Sequence, residues 1–227
     1  MALTELQILE GSFGLIWVVI AMIIGVRIIT KAISRSRSEL ITVGFTWIFM
    51  SSAWWGVAVQ FITYGFFNYK LSAFQYLFIA NVFIPFALIC WIYSFCHIIN
   101  PNLKKNFFLV IVVFFIVWEI FLLFSLFIDT KLVGTIEDIF DSTHSIIQLI
   151  FVFTAIIIFL CTGVFFSVKS MKVDDPEIKW KGIFLLIAWI SFTIGALLDA
   201  ALPLTAITLI IVRLILISSS IEFYLGF

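Results

Sequence analysis

The sequence predicts an all-α integral membrane protein built as one bundle of seven helices. Of its 227 residues, 64% are hydrophobic and 11% are charged, and the mean hydropathy is +1.26. Soluble domains carry a charge on about a quarter of their residues, so this composition is not typical of a protein dissolved in water. One bilayer crossing needs about 20 apolar helical residues, which allows at most about seven crossings here. We therefore predict a single membrane domain, 1–227.

Seven apolar runs are each long enough to cross a bilayer as a helix. They cover residues 11–29, 40–66, 71–98, 107–128, 145–168, 182–202 and 204–224. The last two runs are predicted as a tight hairpin, because Pro203 favours the start of a new helix. The segment from Met1 to Glu10 has no Lys or Arg, so we expect the first run to be a retained helix and not a cleaved signal peptide.

The basic residues are distributed unevenly between the loops. Of the 13 Lys and Arg residues, ten flank the first, third and fifth loops, Lys70 and Lys131 flank the second and fourth, and Arg213 lies inside the last run. Cytoplasmic loops are enriched in Lys and Arg. We therefore expect a multi-pass protein of the cell membrane with its N-terminus outside and its C-terminus in the cytoplasm.

Two ionisable side chains, Glu119 and Arg213, lie well inside the predicted spans. A charge in hydrocarbon costs at least a few kcal/mol unless it is paired or hydrated, so it marks a structural ion pair or a functional site. With a rise of about 1.5 Å per residue, both side chains fall in the outer half of the bilayer at a similar depth. We expect the two residues to be coupled, and the sequence leaves open whether the pair is structural or binds a ligand.

Further polar and aromatic side chains are predicted near that depth, and they suggest a small pocket. Pro85 follows Asn81 by four residues, removes a helical N–H and predicts a kink in the third helix. The candidate ligand-binding residues are Glu119, Arg213, Asn81, Trp54, Trp118 and Thr193. The alternative is that the hydroxyls bond their own helices, as for Thr154 and the Ser51–Ser52 pair, and that the tryptophans belong to the core.

The cysteines and histidines do not suggest catalysis or metal binding. The three cysteines lie in apolar runs, and His97 and His144 lie near opposite ends of their segments, so neither a disulfide framework nor a metal site is predicted. No nucleophile or metal cluster accompanies Glu119. We therefore expect no enzyme, no cofactor and no nucleic-acid partner.

Two short matching patterns hint at an internal repeat. The pattern Gly56-x-x-x-Gln60 near the outer end of the second run matches Gly195-x-x-x-Asp199 in the sixth. A duplication with three helices on either side of a connecting helix would explain the match, and such repeats are typical of transporters.

The overall pattern resembles the rhodopsin and G-protein-coupled-receptor type of bundle. The resemblance rests on seven helices, an external N-terminus, the third helix kinked at Pro85 and Trp189 in the sixth helix. It covers the whole membrane domain, but no diagnostic motif is matched: the last run has no lysine for retinal, and the third lacks the acidic-Arg-aromatic triplet. The chain is also loosely similar to the seven-helix sensory modules that precede histidine kinases, in size and in its arginine-bearing last helix.

These resemblances imply a receptor or sensor that binds a small molecule in the outer half of the bundle and signals to a separate cytoplasmic protein. The alternative is a small-solute or ion transporter built on the three-plus-one-plus-three repeat. In either case the lipid bilayer is an expected partner.

Overall fold

The computed structural model describes residues 3–99, 104–201 and 205–227. Within them, seven helical spans are long and apolar enough to cross a membrane: Glu5–Ser34, Ser38–Phe67, Ala73–Ile99, Asn106–Ile128, Ile146–Met171, Pro176–Ala200 and Ala206–Gly226. Each overlaps one of the seven predicted runs, which confirms the prediction of seven helices. Pro203, which was predicted to start the last helix, lies outside the described residues.

Two of the helices begin well before their apolar runs because polar residues cap them. The first begins at Glu5, where the Thr4 hydroxyl accepts from the Gln7 N–H and the Gln7 side chain accepts from the Thr4 N–H. The sixth begins at Pro176, and the Asp175 carboxylate accepts from the Glu177 N–H. Hydropathy does not report such caps, although they satisfy N–H groups that have no partner inside the helix.

The seven spans contain nine α-helices, because spans two and three are each interrupted. Helices α1 to α9 cover Glu5–Ser34, Ser38–Met50, Trp55–Phe67, Ala73–Asn81, Ile84–Ile99, Lys104–Ile128, Ile146–Met171, Pro176–Ala201 and Ala206–Gly226. Span two consists of α2, a 3₁₀ turn at Ser51–Trp54, and α3. Span three consists of α4 and α5, and the other spans are single helices.

The break in span three confirms the predicted kink. Helix α4 ends at Asn81 and α5 begins at Ile84, one residue before Pro85. Proline has no N–H for the ladder, and its ring collides with the preceding turn. The Asn81 side chain itself donates to the carbonyl of Leu77 at 2.9 Å and so bonds the last turn of α4.

A small β-hairpin, which the sequence did not predict, covers one end of the bundle. Strands β1 (Gly134–Ile136) and β2 (Ser142–His144) pair antiparallel, with Thr135 opposite Thr143. The flanking Val133 and the hairpin residue Phe140 are buried. We call this end, which also holds the start of α1, the hairpin end, and the opposite end, with the ends of α1, α5 and α7, the basic end.

The spans form a ring in chain order, with span four outside it. Helix α1 packs against span two and α9, α2 against α5, α3 against α4, α5 against α7, α7 against α8, and α8 against α9. Helix α6 packs against α4 and α5 from outside. It reaches α7 through Trp118, which stacks on Phe151 at 5.3 Å between ring centroids.

Aromatic side chains fill the interior of the ring. Trp47 stacks on Phe223 at 4.0 Å, Phe192 lies 5.9 Å from Trp47, and Trp54 lies 6.3 Å from Phe192, all between ring centroids. Each of these four side chains is buried. The rings pack on one another in offset and edge-on arrangements, as in a protein core. Trp54 is therefore a core residue here and not the free wall of an apolar pocket.

Candidate functional site

Arg213 is the central charged residue of the bundle interior at the hairpin end. It lies on the buried stripe of α9 with Leu209, Val212 and Leu216, and its side chain is 2% exposed. Its Nη1 donates to Asp199 Oδ2 at 2.8 Å. The ion pair, in which Arg213 is buried and Asp199 is half-buried, therefore joins α9 to α8, its neighbour in the ring.

Trp54 binds the same carboxylate. Its Nε1 donates to Asp199 Oδ2 at 2.7 Å, and its ring centroid lies 5.8 Å from the guanidinium carbon of Arg213. Asp199 thus connects spans two, six and seven at one oxygen. Trp54 closes the 3₁₀ turn of span two, so the interruption of that span positions the indole for this bond.

The expected pair of Glu119 and Arg213 is wrong, because Arg213 is bound to Asp199. Glu119 lies on α6, which packs against α4 and α5, whereas Arg213 lies on α9, which packs against α8 and α1. Asp199 lies near the end of the sixth predicted run, and α8 continues to Ala201 and includes it. The repeat motif Gly195-x-x-x-Asp199 was the one signal that singled out this residue.

Two of the other predicted residues meet in a separate network between spans three, four and five. Trp118 Nε1 donates to Gln148 Oε1 at 3.1 Å, and Gln148 Nε2 donates to Asn81 Oδ1 at 2.9 Å. All three side chains are buried, and none of their buried polar atoms lacks a partner. A network that is fully bonded in this way stabilises helix packing and leaves nothing for a ligand. The sequence analysis missed Gln148, although Ser145-x-x-Gln148 is a helix-capping pattern.

Neither Glu119 nor Thr193 joins these two groups by a hydrogen bond. Glu119 Oε2 and Thr193 Oγ1 are buried and have no hydrogen-bond partner in the described part of the chain. Thr154 and Ser51 donate to the carbonyls of Ile150 and Ile48, as the alternative interpretation expected. Ser52 does not follow it, because its Oγ is buried without a partner among the described residues. The six candidate residues therefore do not form a single pocket.

The ion pair leaves hydrogen-bonding capacity unused. Asp199 Oδ1 is a buried acceptor and Arg213 Nε a buried donor, and neither has a partner among the residues described. Buried polar atoms in proteins are nearly always bonded to protein or water. An acceptor and a donor on adjoining side chains are suited to a bound water or to a polar group of a ligand.

Three further carboxylates, those of Glu10, Asp138 and Asp141, lie within electrostatic range of one another or of the pair. Glu10 of α1 is buried at 6% exposure and lies within electrostatic range of Asp141, Arg213, Asp199 and Asp138. Asp138 and Asp141 are exposed residues of the β-hairpin segment. The carboxylates of Glu10, Asp138, Asp141 and Asp199 thus lie within electrostatic range of Glu10 or belong to it, and the guanidinium of Arg213 is the positive group among them.

The pKa values of two hairpin carboxylates, Asp141 and Glu137, are shifted in opposite directions. The pKa of Asp141 is raised by loss of hydration and by the negative charges of Asp138, Asp199 and Glu137, against a backbone hydrogen bond from Ser142 that lowers it. The pKa of Glu137 is lowered by hydroxyl donors from Thr135 and Thr143. Ionised Asp141 is therefore disfavoured in the folded protein, and ionised Glu137 is favoured.

Among the described residues, no group of three or more His, Cys, Asp or Glu side chains is arranged to hold a metal ion. No family model, curated protein or solved structure matches the chain. The resemblance to rhodopsin-type and receptor-type bundles therefore rests on the number and order of the helices alone. Function has to be inferred from the side chains themselves.

Proposed function

We propose that the chain is a seven-helix membrane sensor that binds a small polar ligand beside the Arg213–Asp199 pair and signals at its basic end to a separate cytoplasmic protein. The ion pair carries this proposal. Its arginine is buried and its aspartate half-buried among helices of membrane-spanning length, where ionisable residues are expensive and usually functional. A purely structural pair would also be expected to have all its polar atoms bonded, and Asp199 Oδ1 and Arg213 Nε are not.

A route from the pair to the basic end supports a sensor. Trp54 binds Asp199 and contacts Phe192, Phe192 contacts Trp47, and Trp47 stacks on Phe223 near the end of α9. Trp47 Nε1 also donates to Ser220 Oγ at 3.0 Å. A ligand that competes for Asp199 would release Trp54 and disturb this column. Spatial continuity of this kind is a hypothesis of coupling and requires a direct measurement.

A transporter is the second candidate, because the two halves of the bundle share a packing feature. A Cβ on Gly56 would lie 3.1 Å from the Ala80 Cβ in span three, and a Cβ on Gly195 would lie 2.8 Å from Leu216 in span seven. In both halves a glycine therefore allows the second helix to approach the third, as an internal repeat requires. The sensor is favoured because the aromatic column fills the interior between the two ends, whereas transport needs access from both sides.

Distance measurements between spin labels test the sensor. Cysteines introduced at Ser36 and Asp174, in two loops of the basic end, are labelled after replacement of Cys90, Cys96 and Cys161. If the ion pair shifts the equilibrium between two packings of the helices, Asp199→Asn should change the distance distribution between the labels. An unchanged distribution contradicts the proposal.

A matched control removes a different buried hydrogen bond. Trp91 Nε1 donates to Thr162 Oγ1 at 2.7 Å, away from the ion pair. Thr162→Val should leave the label distances unchanged. If it shifts them as much as Asp199→Asn does, the shift reflects general loosening of the bundle and not coupling to the pair.

Flux through proteoliposomes separates the transporter from the sensor. Uptake of small solutes that saturates with concentration, and that Asp199→Asn abolishes, favours the transporter. The sensor predicts no saturable flux. The Thr162→Val protein again serves as the control, because its ion pair is intact.

A further inference from the structure

Helix α6 is the least covered of the seven spans. It packs against α4 and α5 from outside the ring, and only 22% of its most apolar stretch is buried, the smallest share among the described spans. Most of its surface is therefore open to whatever surrounds the bundle.

Glu119 is the exceptional residue of α6. It lies about 20 Å along the helix axis from Asn106 and about 14 Å from Ile128, the two ends of the span. Both distances place its carboxyl well inside a hydrocarbon core of about 30 Å. A carboxyl at that depth is costly unless it finds a polar partner, and lipid chains offer none.

The chain itself does not supply such a partner. Glu119 Oε2 is buried and unbonded, and the described residues make neither a hydrogen bond nor a salt bridge to this carboxyl. Because Oε1 has no bond either and is not among the buried unbonded atoms, it reaches the surface of the bundle. Glu119 as a whole is half-buried. The carboxyl therefore lies at the edge of the covered part of α6, where a group from outside the bundle can reach it.

Glu119 belongs to a face of α6 that follows a seven-residue repeat. This face, which we call the α6 face, consists of Leu109, Val112, Ile116, Glu119 and Leu123. None of the five is fully buried, and Leu109 and Ile116 are 60% and 50% exposed. Alternating steps of three and four residues keep one side of a helix against a partner that crosses it at about 20°, the common left-handed arrangement in membranes. The α6 face therefore suits contact with another helix along its length.

We propose that the α6 face joins two copies of the chain in a symmetric dimer, in which the two Glu119 carboxyls hydrogen-bond each other. This inference does not rest on the function proposed above. Copies of a membrane protein share one orientation, so the two-fold axis of a dimer runs perpendicular to the membrane. It places each residue near the axis opposite its own equivalent at the same depth. The group that meets Glu119 is therefore a second Glu119.

Two carboxyls complement each other at this position. A protonated carboxyl has one O–H donor and keeps an acceptor oxygen, so two of them form a reciprocal pair of hydrogen bonds. The pair satisfies the polar atoms and places no net charge in the hydrocarbon. Hydrogen bonds between helices drive association in membranes, where apolar side chains alone gain little because lipid chains are equally apolar. The four apolar residues of the α6 face pack around the pair.

Disulfide cross-linking in lipid vesicles tests the dimer. The full chain, with Cys90, Cys96 and Cys161 replaced, carries one new cysteine at Ile116 and is reconstituted in phosphatidylcholine vesicles. Mild oxidation should link it into a dimer. The matched control is a cysteine at Ile157, which is 60% exposed on α7 at a similar distance from the hairpin end. Equal cross-linking at both positions would overturn the proposal, because it indicates random collision.

Energy transfer between labelled chains measures the strength of the dimer. Donor and acceptor dyes on a cysteine at Ser36 report the dimer fraction as the lipid-to-protein ratio is raised. Glu119→Leu should weaken dimerisation by about tenfold, and Glu119→Gln by less, because an amide also donates and accepts. Thr154→Val is the control and should leave the dimer fraction unchanged, because Thr154 lies on α7 and bonds its own helix.

Melting temperatures in detergent show that the variants are folded. Glu119 has no hydrogen bond within the described chain, so Glu119→Leu should not lower the melting temperature. A folded Glu119→Leu chain that dimerises as strongly as the wild type would overturn the proposal. A wild type that stays monomeric at the highest protein-to-lipid ratio would do so as well, because lipid then covers the α6 face. If Glu119→Leu does not fold, the cross-linking at Ile116 and Ile157 decides the matter.

Discussion

Trp54 and Arg213 donate to the same carboxylate oxygen, Asp199 Oδ2, at 2.7 Å and 2.8 Å. The two donors come from spans two and seven and the acceptor from span six. One oxygen therefore holds three helices together, and it does so between residues far apart in the sequence. Loss of either donor leaves the carboxylate with one bond in a half-buried position.

The first prediction is that Asp199 and Arg213 are energetically coupled. Breaking a buried ion pair from one side costs about 3–5 kcal/mol, so Asp199→Leu and Arg213→Leu should each lower the melting temperature in detergent. The double variant should lose clearly less than the sum of the two. Glu119→Leu combined with Arg213→Leu is the control and should be additive, because those residues do not pair.

The second prediction concerns the crossing of α1 and α2. A Cβ on Gly44 would lie 2.6 Å from the carbonyl oxygen of Gly25, which is backbone and cannot rotate away. Gly44→Ala should therefore lower stability by about 1–3 kcal/mol. Gly65→Ala, where a Cβ meets nothing within 4 Å, should be neutral or stabilising. Equal melting temperatures for the two variants would contradict the close crossing.

The third prediction concerns the network of Asn81, Gln148 and Trp118. Gln148→Leu strands a buried amide oxygen and a buried indole N–H, and each stranded group costs about 1–3 kcal/mol. The melting temperature should therefore fall markedly. Thr154→Val on the same helix should have little effect, because Thr154 bonds only its own helix, at Ile150.

The fourth prediction concerns pH. The pKa of Asp141 is raised in the folded protein, so the fold favours the protonated carboxyl. The stability that this carboxyl contributes is therefore full below the ordinary pKa of an aspartate and is lost as the pH rises through the raised pKa. Asp141→Asn should remove this loss and give a higher melting temperature at neutral pH than wild type. Glu137→Gln should act in the opposite direction, because the pKa of Glu137 is lowered and its contribution is lost as the pH falls.

The fifth prediction concerns orientation in the membrane. Ser36 lies in an exposed loop at the basic end and Glu137 in the exposed hairpin at the other end. Cysteines introduced at these positions should react with a membrane-impermeant reagent from opposite sides, with Ser36 on the cytoplasmic side. The chain without added cysteines gives the background. Labelling of both positions from one side would contradict seven crossings.

The number of spans and the kink in span three could be predicted because each follows from a property of single residues or short runs. A long apolar run needs a bilayer, and a proline cannot complete a helical ladder, so the break before Pro85 is local chemistry. The 3₁₀ turn at Ser51–Trp54 carries no such residue and was missed.

The partner of Arg213 could not be predicted, because depth in the membrane does not determine which helices are neighbours. Glu119 was expected at a similar depth, but it belongs to the span outside the ring. Asp199 lies near the end of the sixth apolar run, and Glu10 lies just before the first run and resembled a tail residue. Helix α1 begins before that run, and hydropathy does not register where a helix begins.

The external position of α6 determines the relative directions of the helices in the ring. Successive spans run in opposite directions, so the contacts within spans one to three and within spans five to seven are antiparallel. The contacts of α5 with α7 and of α1 with α9 join spans that run the same way. Spans one to three form one triplet and spans five to seven the other. Neighbouring helix dipoles are antiparallel within each triplet, which is favourable, and parallel at these two seams between the triplets. If the bundle moves as two bodies, it should divide along the seams, with each triplet intact.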